Sequence, residues 1–576
     1  MKRSLWTALA LIVTAGAWAA PTPSASDLLK RMSLDDKIGQ MTQPARDYIR
    51  SGDIAKYRFG SVLSGGGSVP SNNSVAGWRK MIEAYQAEAL STPLAIPLIY
   101  GVDAVHGHNN LRDATIFPHN IGLGAAGDAD LVFRTARATA EELVATGIPW
   151  TFAPCVAVVQ DIRWGRTYEG YSKDPVLSAK LAAAAVRGFQ GETLGETGVA
   201  ASVKHFVADG GTAGGIDQGD AKITREQLES IFLPPYEATL PFKPGTVMAS
   251  FSSINGVKMH ANRELLTGWL KERKGFEGFI VSDWAAVKQL QGTSAQQIAT
   301  AVNAGIDMVM VPDNFKDFIR DLKAEVEAGR VPMARIDDAV TRILDVKIKL
   351  GLFGKPVPDG PMNLAAHAEV AKEAVRKSFT LLKNDGAVLP LRKGAKVLVV
   401  GAKADDVGAL CGGWTLTWQG SLGAITAGET VLEGLVRVLG KENVRFSPDG
   451  EAVRGFKPDT VVFVAGEAPY AEMKGDSAKL ELSFIDQRVF DRLIKDKKLS
   501  KLPLVTLVVS GRPLVMNDAL ERSAAVAALW LPGSEAGSVA EVLSGQAKPS
   551  GRLPQPWPRT AAQSDSVWPL GYGLTY

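Results

Sequence analysis

Gly278, Phe279, Ile280, Val281, Ser282, Asp283 and Trp284 form a short apolar run that ends in a carboxylate followed by an indole. Such a run reads as a strand buried on both faces of a parallel sheet. The first charged residue after it then marks the mouth of the sheet or barrel, where ligands bind. Asp283 is thereby placed for chemistry: a carboxylate can attack an anomeric carbon, and a neighbouring indole can stack on the apolar face of a pyranose. From this run alone a second reading stays open, in which Asp283 caps the helix that follows.

Outward from this strand, apolar runs at 98–102, 151–159, 199–203, 247–251 and 308–311 alternate with longer helix-like stretches between residues 28 and 352. Alternation at this spacing implies a mainly parallel sheet with helices outside, and so many repeats predict an α/β fold whose first domain, 21–354, is a (β/α)8-type, TIM-like barrel. One helical stripe is Val326, Val340, Ile343, Leu344, Val346 and Leu350, interrupted at Gly329 and Pro332. Prolines and glycines gather at 354–361 and predict a linker over 355–372. Beyond it 365–382 reads as a helix. Apolar strands at 397–400, 461–465, 504–509 and 526–530, with helix-like segments between them, predict a smaller α/β sandwich domain over 373–576.

Residues 1–20 open with Met1, Lys2 and Arg3, continue with an apolar stretch over 5–15 and end in Ala17, Trp18, Ala19 and Ala20. They read as a secretory signal peptide, so the protein is expected to be exported, periplasmic or secreted. No later segment offers about 18 uninterrupted apolar residues, so no membrane span is expected. The 64 basic and 61 acidic residues are scattered rather than in runs, which argues against nucleic acid as a partner. Cys155 and Cys411 are the only cysteines and fall in different expected domains, so neither a disulfide scaffold nor a structural metal cluster is expected. His106 and His108 lack the acidic or Cys partners of known zinc motifs. There is no GxSxG elbow or Walker loop, and Gly65, Gly66 and Gly67 read as a flexible loop. No metal or other cofactor is expected, and nothing in the sequence fixes an oligomeric state.

Further chemistry falls at expected strand ends. Asp103 precedes His106, Gly107, His108, Asn109 and Asn110; Trp164, Gly165 and Arg166 follow another strand; Lys204, His205 and Phe206 follow a third. Asp103 can accept two hydroxyl hydrogen bonds, and Arg166, Lys204 and His205 can donate others, as a polyhydroxylated ligand requires. Singly, Arg166 is as well explained as a buried ion-pair partner, and the histidines as satisfied core residues. In the second domain two loops are rich in rings and acids: 411–420, with Trp414 and Trp418, and 466–476, with Glu467, Tyr470, Glu472 and Asp476. The second directly follows a strand, at the end where α/β domains bind ligands.

Taken together and in order, Asp103 with 106–110, Trp164 to Arg166, Lys204 to Phe206, Ser282 to Trp284, the Trp414 and Trp418 loop, and Glu467 to Asp476 resemble glycoside hydrolase family 3, in its two-domain β-glucan exohydrolase and β-glucosidase branch. The resemblance spans nearly the whole mature chain. It implies a retaining, exo-acting β-glucosidase in which Asp283 is the nucleophile and Glu472 the acid/base, supplied across the domain interface. Carboxyls roughly 5 to 5.5 Å apart would permit a covalent glycosyl-enzyme intermediate. Glu467 is the rival acid; the family pattern favours Glu472, after the Pro-Tyr step and before Lys-Gly-Asp. By the same resemblance Asp103, Arg166, Lys204 and His205 hold the terminal glucosyl unit, Trp284 supports its ring, and Trp414 and Trp418 clamp the next unit.

The implied partners are a β-linked oligosaccharide substrate and glucose as product. Gln218 and Phe251 depart from the Glu and Tyr common at those positions in the plant-type exohydrolases. Absence of an extra His after His205 argues against an amino-sugar substrate. The alternatives are a β-xylosidase of the same fold and a non-catalytic saccharide-binding protein.

Overall fold

In the computed structural model, which describes residues 22–192, 194–195 and 198–576, the strand that leads to Asp283 is one of eight parallel strands closed into a ring. The signal peptide expected over 1–20 lies outside the described residues. Strands β1 (Thr42–Gln43), β2 (Ser61–Ser64), β3 (Ile99–Val102), β4 (Trp150–Thr151), β5 (Ala200–Phe206), β6 (Thr246–Ala249), β7 (Phe279–Val281) and β8 (Val309–Met310) follow one another in chain order. β2 to β7 form one continuous parallel sheet, and β1 pairs with β8. Single parallel bridges, Ala45 with Leu63 and Val281 with Met308, join β1 to β2 and β7 to β8. Every residue of these strands is buried, which explains why they read as apolar runs rather than alternating ones.

Helices separate the strands: α1 (Val75–Leu90), α2 (Asn120–Ala126), α3 (Ala129–Ala145), α4 (Pro175–Gln190), α5 (Ser294–Ala304), α6 (Phe315–Glu327) and α7 (Met333–Lys349). Their starts follow local chemistry. Asp128 accepts from the backbone N–H groups of Asp130 and Leu131 to cap α3, and Thr293 with Gln296 closes a capping box on α5. The stripe expected across Gly329 and Pro332 is split there into α6 and α7, where Gly329 takes φ +71°.

The second domain is a six-stranded sheet: β9 (Thr380–Asn384), β10 (Val397–Val400), β11 (Val444–Ser447), β12 (Thr460–Gly466), β13 (Leu504–Val509) and β14 (Ala525–Trp530), in the order β9-β14-β13-β12-β10-β11. Only β9 runs antiparallel to its neighbour. The helices α8 (Leu364–Ser378), α9 (Val431–Leu439) and α10 (Phe484–Lys495) belong to this half. Its core also takes in Ile121 and Ala125 of α2 and Tyr168, so the barrel contributes directly to the second hydrophobic core.

Several local expectations change. The helix expected over 365–382 stops at Ser378, and its last residues turn into β9, because Thr380, Leu381, Lys383 and Asn384 pair with β14. The linker expected over 355–372 is helical from Leu364, where the Asn363 side chain accepts from Ala366 N–H. The strand expected over 151–159 is a regular strand only to Thr151; Pro154 has no N–H to give to a ladder, and beyond it Cys155 makes a single parallel bridge to Lys204. Strands β1, β2 and β11 carried no apolar run long enough to be read.

Candidate active site

The carboxyl ends of the barrel strands and two loops of the second domain enclose a cavity of about 800 Å³. Asp103, Arg166, Lys204, His205, Asp283, Trp284, Trp414, Trp418 and Glu472 all line it. Sequence reasoning had singled out each of the nine, and the fold brings them to one place.

Asp283 stands just beyond β7. Its Oδ1 accepts from Trp284 N–H at 2.7 Å, and its own N–H donates to His260 Nε2 at 3.1 Å. Oδ2 is buried with no hydrogen-bond partner and lies 3.8 Å from His205 Nε2. The capping alternative is not realised: the short helical turn Ala286–Gln289 has no side-chain cap, and α5 is capped by Thr293. Burial pushes the Asp283 carboxyl up to about 6, against the pull of Arg166 and Lys204.

Lys204 and His205 are consecutive on β5, yet both face the cavity, which a regular strand with its period of two forbids. The register of β5 against β6 shifts between Val203 and Phe206, so the strand is not regular here, and both side chains line the cavity. Lys204 Nζ donates to Asp103 Oδ1 at 2.7 Å. His205 Nδ1 meets Asp209 Oδ2 at 2.8 Å, and its Nε2 meets Arg166 Nη2 at 3.1 Å. Since a guanidinium can only donate, Nε2 accepts and the ring is neutral with its proton on Nδ1. Burial, Arg166 and Lys204 together hold the imidazole well below its usual range.

Arg166 is the hub of this polar floor. Nε and Nη2 form a two-pronged pair with Glu169 Oε1 and Oε2, at 2.9 and 2.8 Å, while Nη1 donates to Glu472 Oε1 at 3.2 Å. Glu472 enters from the second domain with φ +54°, a left-handed conformation uncommon for a residue with a side chain. Burial raises its carboxyl to about 8; Arg166 opposes this and Asp283 adds to it. The rival Glu467 is committed elsewhere: its Oε1 accepts from Arg512 Nε at 2.9 Å and its Oε2 from Tyr470 OH at 2.8 Å. It does not line the cavity.

The opposite end of the cavity is aromatic and more open. Trp284 is 39% exposed, and at the rim Tyr48, beside Arg46 and Asp47, is 55% exposed. Trp414 is instead buried: its Nε1 donates to Glu169 Oε1 at 3.1 Å, and Lys204 Nζ lies 5.8 Å from its ring. It belongs to the polar floor, so the half-exposed indoles at the mouth are Trp284 and Trp418 rather than Trp414 and Trp418. Barrel side chains fasten their loop: Asn109 Nδ2 donates to Trp414 O at 2.7 Å, and Asn109 O accepts from Leu416 N–H at 2.8 Å.

The 65–67 glycines are a built wall and not the free loop expected of them. A Cβ on Gly65 would sit 3.0 Å from the Trp284 ring, and one on Gly66 would sit 2.8 Å from Trp418 Cα. His106 and His108 diverge: the first meets Phe117 O and Thr415 Oγ1, the second Thr146 Oγ1. Among the described residues Cys155, His205 and Asp209 bring ligand-type atoms within 4.8 Å of one another. Asp209 is already bound to His205, burial keeps the Cys155 thiol protonated, and the Arg166 guanidinium stands beside them, so this donor set does not suit a cation.

Sequence reasoning missed Glu169, Asp209, His260 and the 46–48 rim. Glu169 and Asp209 carried a weak signal, an acid three residues after Arg166 and one four after His205. His260 had none, since it reaches Asp283 only through the tertiary fold.

The chain matches both domains of one family: the glycosyl hydrolase family 3 N terminal domain over residues 33–346, and the glycosyl hydrolase family 3 C-terminal domain over 379–576. A lysosomal beta glucosidase of Dictyostelium discoideum is 34% identical, over 93% of this chain and 72% of that protein. A periplasmic beta-glucosidase of Salmonella typhimurium is 31% identical, over 96% of this chain and 80% of that protein. Among solved structures, the exo-1,3/1,4-beta-glucanase of a Pseudoalteromonas species superposes with a TM-score of 0.91 at 40% identity, covering 96% of this chain and 74% of that one.

Proposed function

Since this chain belongs to glycosyl hydrolase family 3, we propose that it is an exo-acting β-glucosidase that removes glucose from the non-reducing ends of β-linked gluco-oligosaccharides with retention of configuration. The observation that carries this reading is a pair of carboxyls from different domains in one cavity. One has an unpartnered oxygen and a value of about 6, the other a value of about 8. Environments that push two carboxyls apart assign their roles: the lower is the nucleophile, the higher the acid.

On this reading Asp283 Oδ2 attacks the anomeric carbon as Glu472 gives its proton to the departing glycosidic oxygen. A glucosyl ester on Asp283 results. Esterification removes the negative charge that helped hold Glu472 protonated, so its affinity for a proton falls as its task changes to that of a base. Glu472 then takes a proton from water, whose oxygen attacks the anomeric carbon and releases Asp283. Asp103, Lys204 and Arg166, at the buried polar end, hold the hydroxyls of the terminal sugar, and His205, whose two ring nitrogens are taken by Asp209 and Arg166, braces Arg166 beside them. Trp284 and Trp418 flank the next unit. The rise in exposure from this end to Trp284 and Tyr48 supports a pocket that takes a chain terminus.

The likeness to the Pseudoalteromonas enzyme favours β-1,3 and β-1,4 linkages. Export to the periplasm or beyond fits the leader-like residues 1–20 and the periplasmic Salmonella relative. Among the described residues no helix is long and apolar enough to cross a membrane. The test is incubation of wild type and Asp283→Ala with laminaribiose, cellobiose and xylobiose. Glucose from the wild type alone is expected. Xylose would move the reading to a β-xylosidase, and bound but uncleaved sugar would move it to a binding protein.

A further inference from the structure

Arg512 lies just past β13, outside the cavity, and is 1% exposed. Its guanidinium touches neither Asp283 nor any group placed against the sugar. Nη1 donates to the carbonyls of Ile162, Arg163 and Trp164 at 3.2, 3.1 and 3.4 Å, the approach to Arg166 on the barrel side. Nη2 donates to Gly475 O at 2.5 Å and Nε to Glu467 Oε1 at 2.9 Å, on either side of Glu472 in the second domain. The Tyr470 ring packs against it at 4.9 Å. One side chain therefore holds both ends of the loop that bears Glu472 and the segment leading to its partner Arg166.

The seam it fastens has no slack. A Cβ on Gly165 would fall 1.9 Å from Glu472 O, and Gly165 N–H donates to Asp476 Oδ1 at 2.8 Å. Glu472 itself stays in a left-handed conformation that only its surroundings can enforce. A rigid planar fork with five donors suits this many carbonyls, and a lysine could not reproduce it.

We propose that Arg512 is a positioning residue for proton transfer: it fixes Glu472 against Arg166 across the domain seam while leaving Asp283 untouched. The proposal rests on the reading of Glu472 as acid/base. Its signature is dependence on the leaving group, because a disaccharide needs its departing oxygen protonated and a 2,4-dinitrophenyl β-glucoside does not.

The variants are Arg512→Lys and the charge-balanced double variant Arg512→Met with Glu467→Gln, both checked for folding by thermal melting, with Glu472→Gln as reference. For both, kcat/KM on laminaribiose is expected to fall about 10²-fold, the size of a general-acid contribution or of a displacement of about 1 Å. On the dinitrophenyl glucoside it should fall less than about threefold. Equal losses on the two substrates, or no loss on the disaccharide, would overturn the proposal. If Glu472→Gln itself lacks the leaving-group dependence, the acid/base assignment fails first. If Glu472→Gln has it and folded Arg512 variants do not, only the role of Arg512 fails.

Discussion

Arg166 touches an ion-pair partner, a neutral histidine and the proposed acid at once, so the protonation of the two carboxyls is set around it. On the proposed mechanism Asp283 must be ionised to attack and Glu472 protonated to donate. With values of about 6 and about 8, kcat/KM should fall below about pH 6 as Asp283 takes up a proton and above about pH 8 as Glu472 loses one. A pH series on laminaribiose, whose departing oxygen needs a proton, checks this. In Glu472→Gln the alkaline limb should vanish and the acid limb remain; survival of the alkaline limb would assign it to another group. Asp283→Ala should cost on the order of 10⁴-fold in kcat on every substrate, whatever its leaving group. At this scale the sequence was most informative, because a charged residue after an apolar strand announces itself. His260 and Glu169 were harder to see: they act through contacts 23 and 3 residues away in the chain, and only the fold decides that such contacts form.

Among elements, the 65–69 loop after β2 shows what sequence pattern hides. Three glycines signal freedom, yet here they allow backbone to lie against the Trp284 ring at Gly65 and the Trp418 backbone at Gly66, a close approach that a side chain would block. Gly66→Ala should push the loop or Trp418 out of place. KM for laminaribiose is expected to rise several-fold, with little change in kcat/KM for an aryl glucoside that reaches the terminal-sugar pocket alone. Equal KM values for variant and wild type would show that the wall is not needed. Elements buried on both faces, such as β3, β7, β10 and β12, were legible because a short, continuous apolar run bounded by turn residues suits little besides a buried strand. The edges were not. β9 looked like the end of a helix until its pairing with β14 was known, and β1 has only two residues in its ladder. In such short elements partners, not propensity, decide the structure.

For the whole molecule, all six histidines are buried. Burial lowers His108, His119 and His260 to about 3. Each is neutral in the folded protein while its unfolded counterpart, near 6.5, takes up a proton. Below about pH 6.5 stability should therefore fall by about 1.4 kcal/mol per pH unit for each such group. His367 has the opposite sign. Burial works against its charge, but hydrogen bonds from this α8 residue to Glu142 and Glu141 of α3 outweigh it and raise its value. Its contribution is complete below the unfolded value and is lost as pH rises through the folded one. The raised carboxyls of Asp283 and Glu472 act the other way, gaining stability as pH falls, so the histidine effect is read as a difference: between pH 6.5 and 4 His108→Gln should lose less melting temperature than the wild type, because the amide can keep the bond to Thr146. Finally, the two carboxyls proposed to react, Asp283 and Glu472, stand nearly 190 residues apart in the chain, on halves that must both fold before they meet. Catalysis then behaves as a logical AND: a nascent or clipped chain holding only one half is silent toward disaccharides. Turnover reports, molecule by molecule, that assembly is complete.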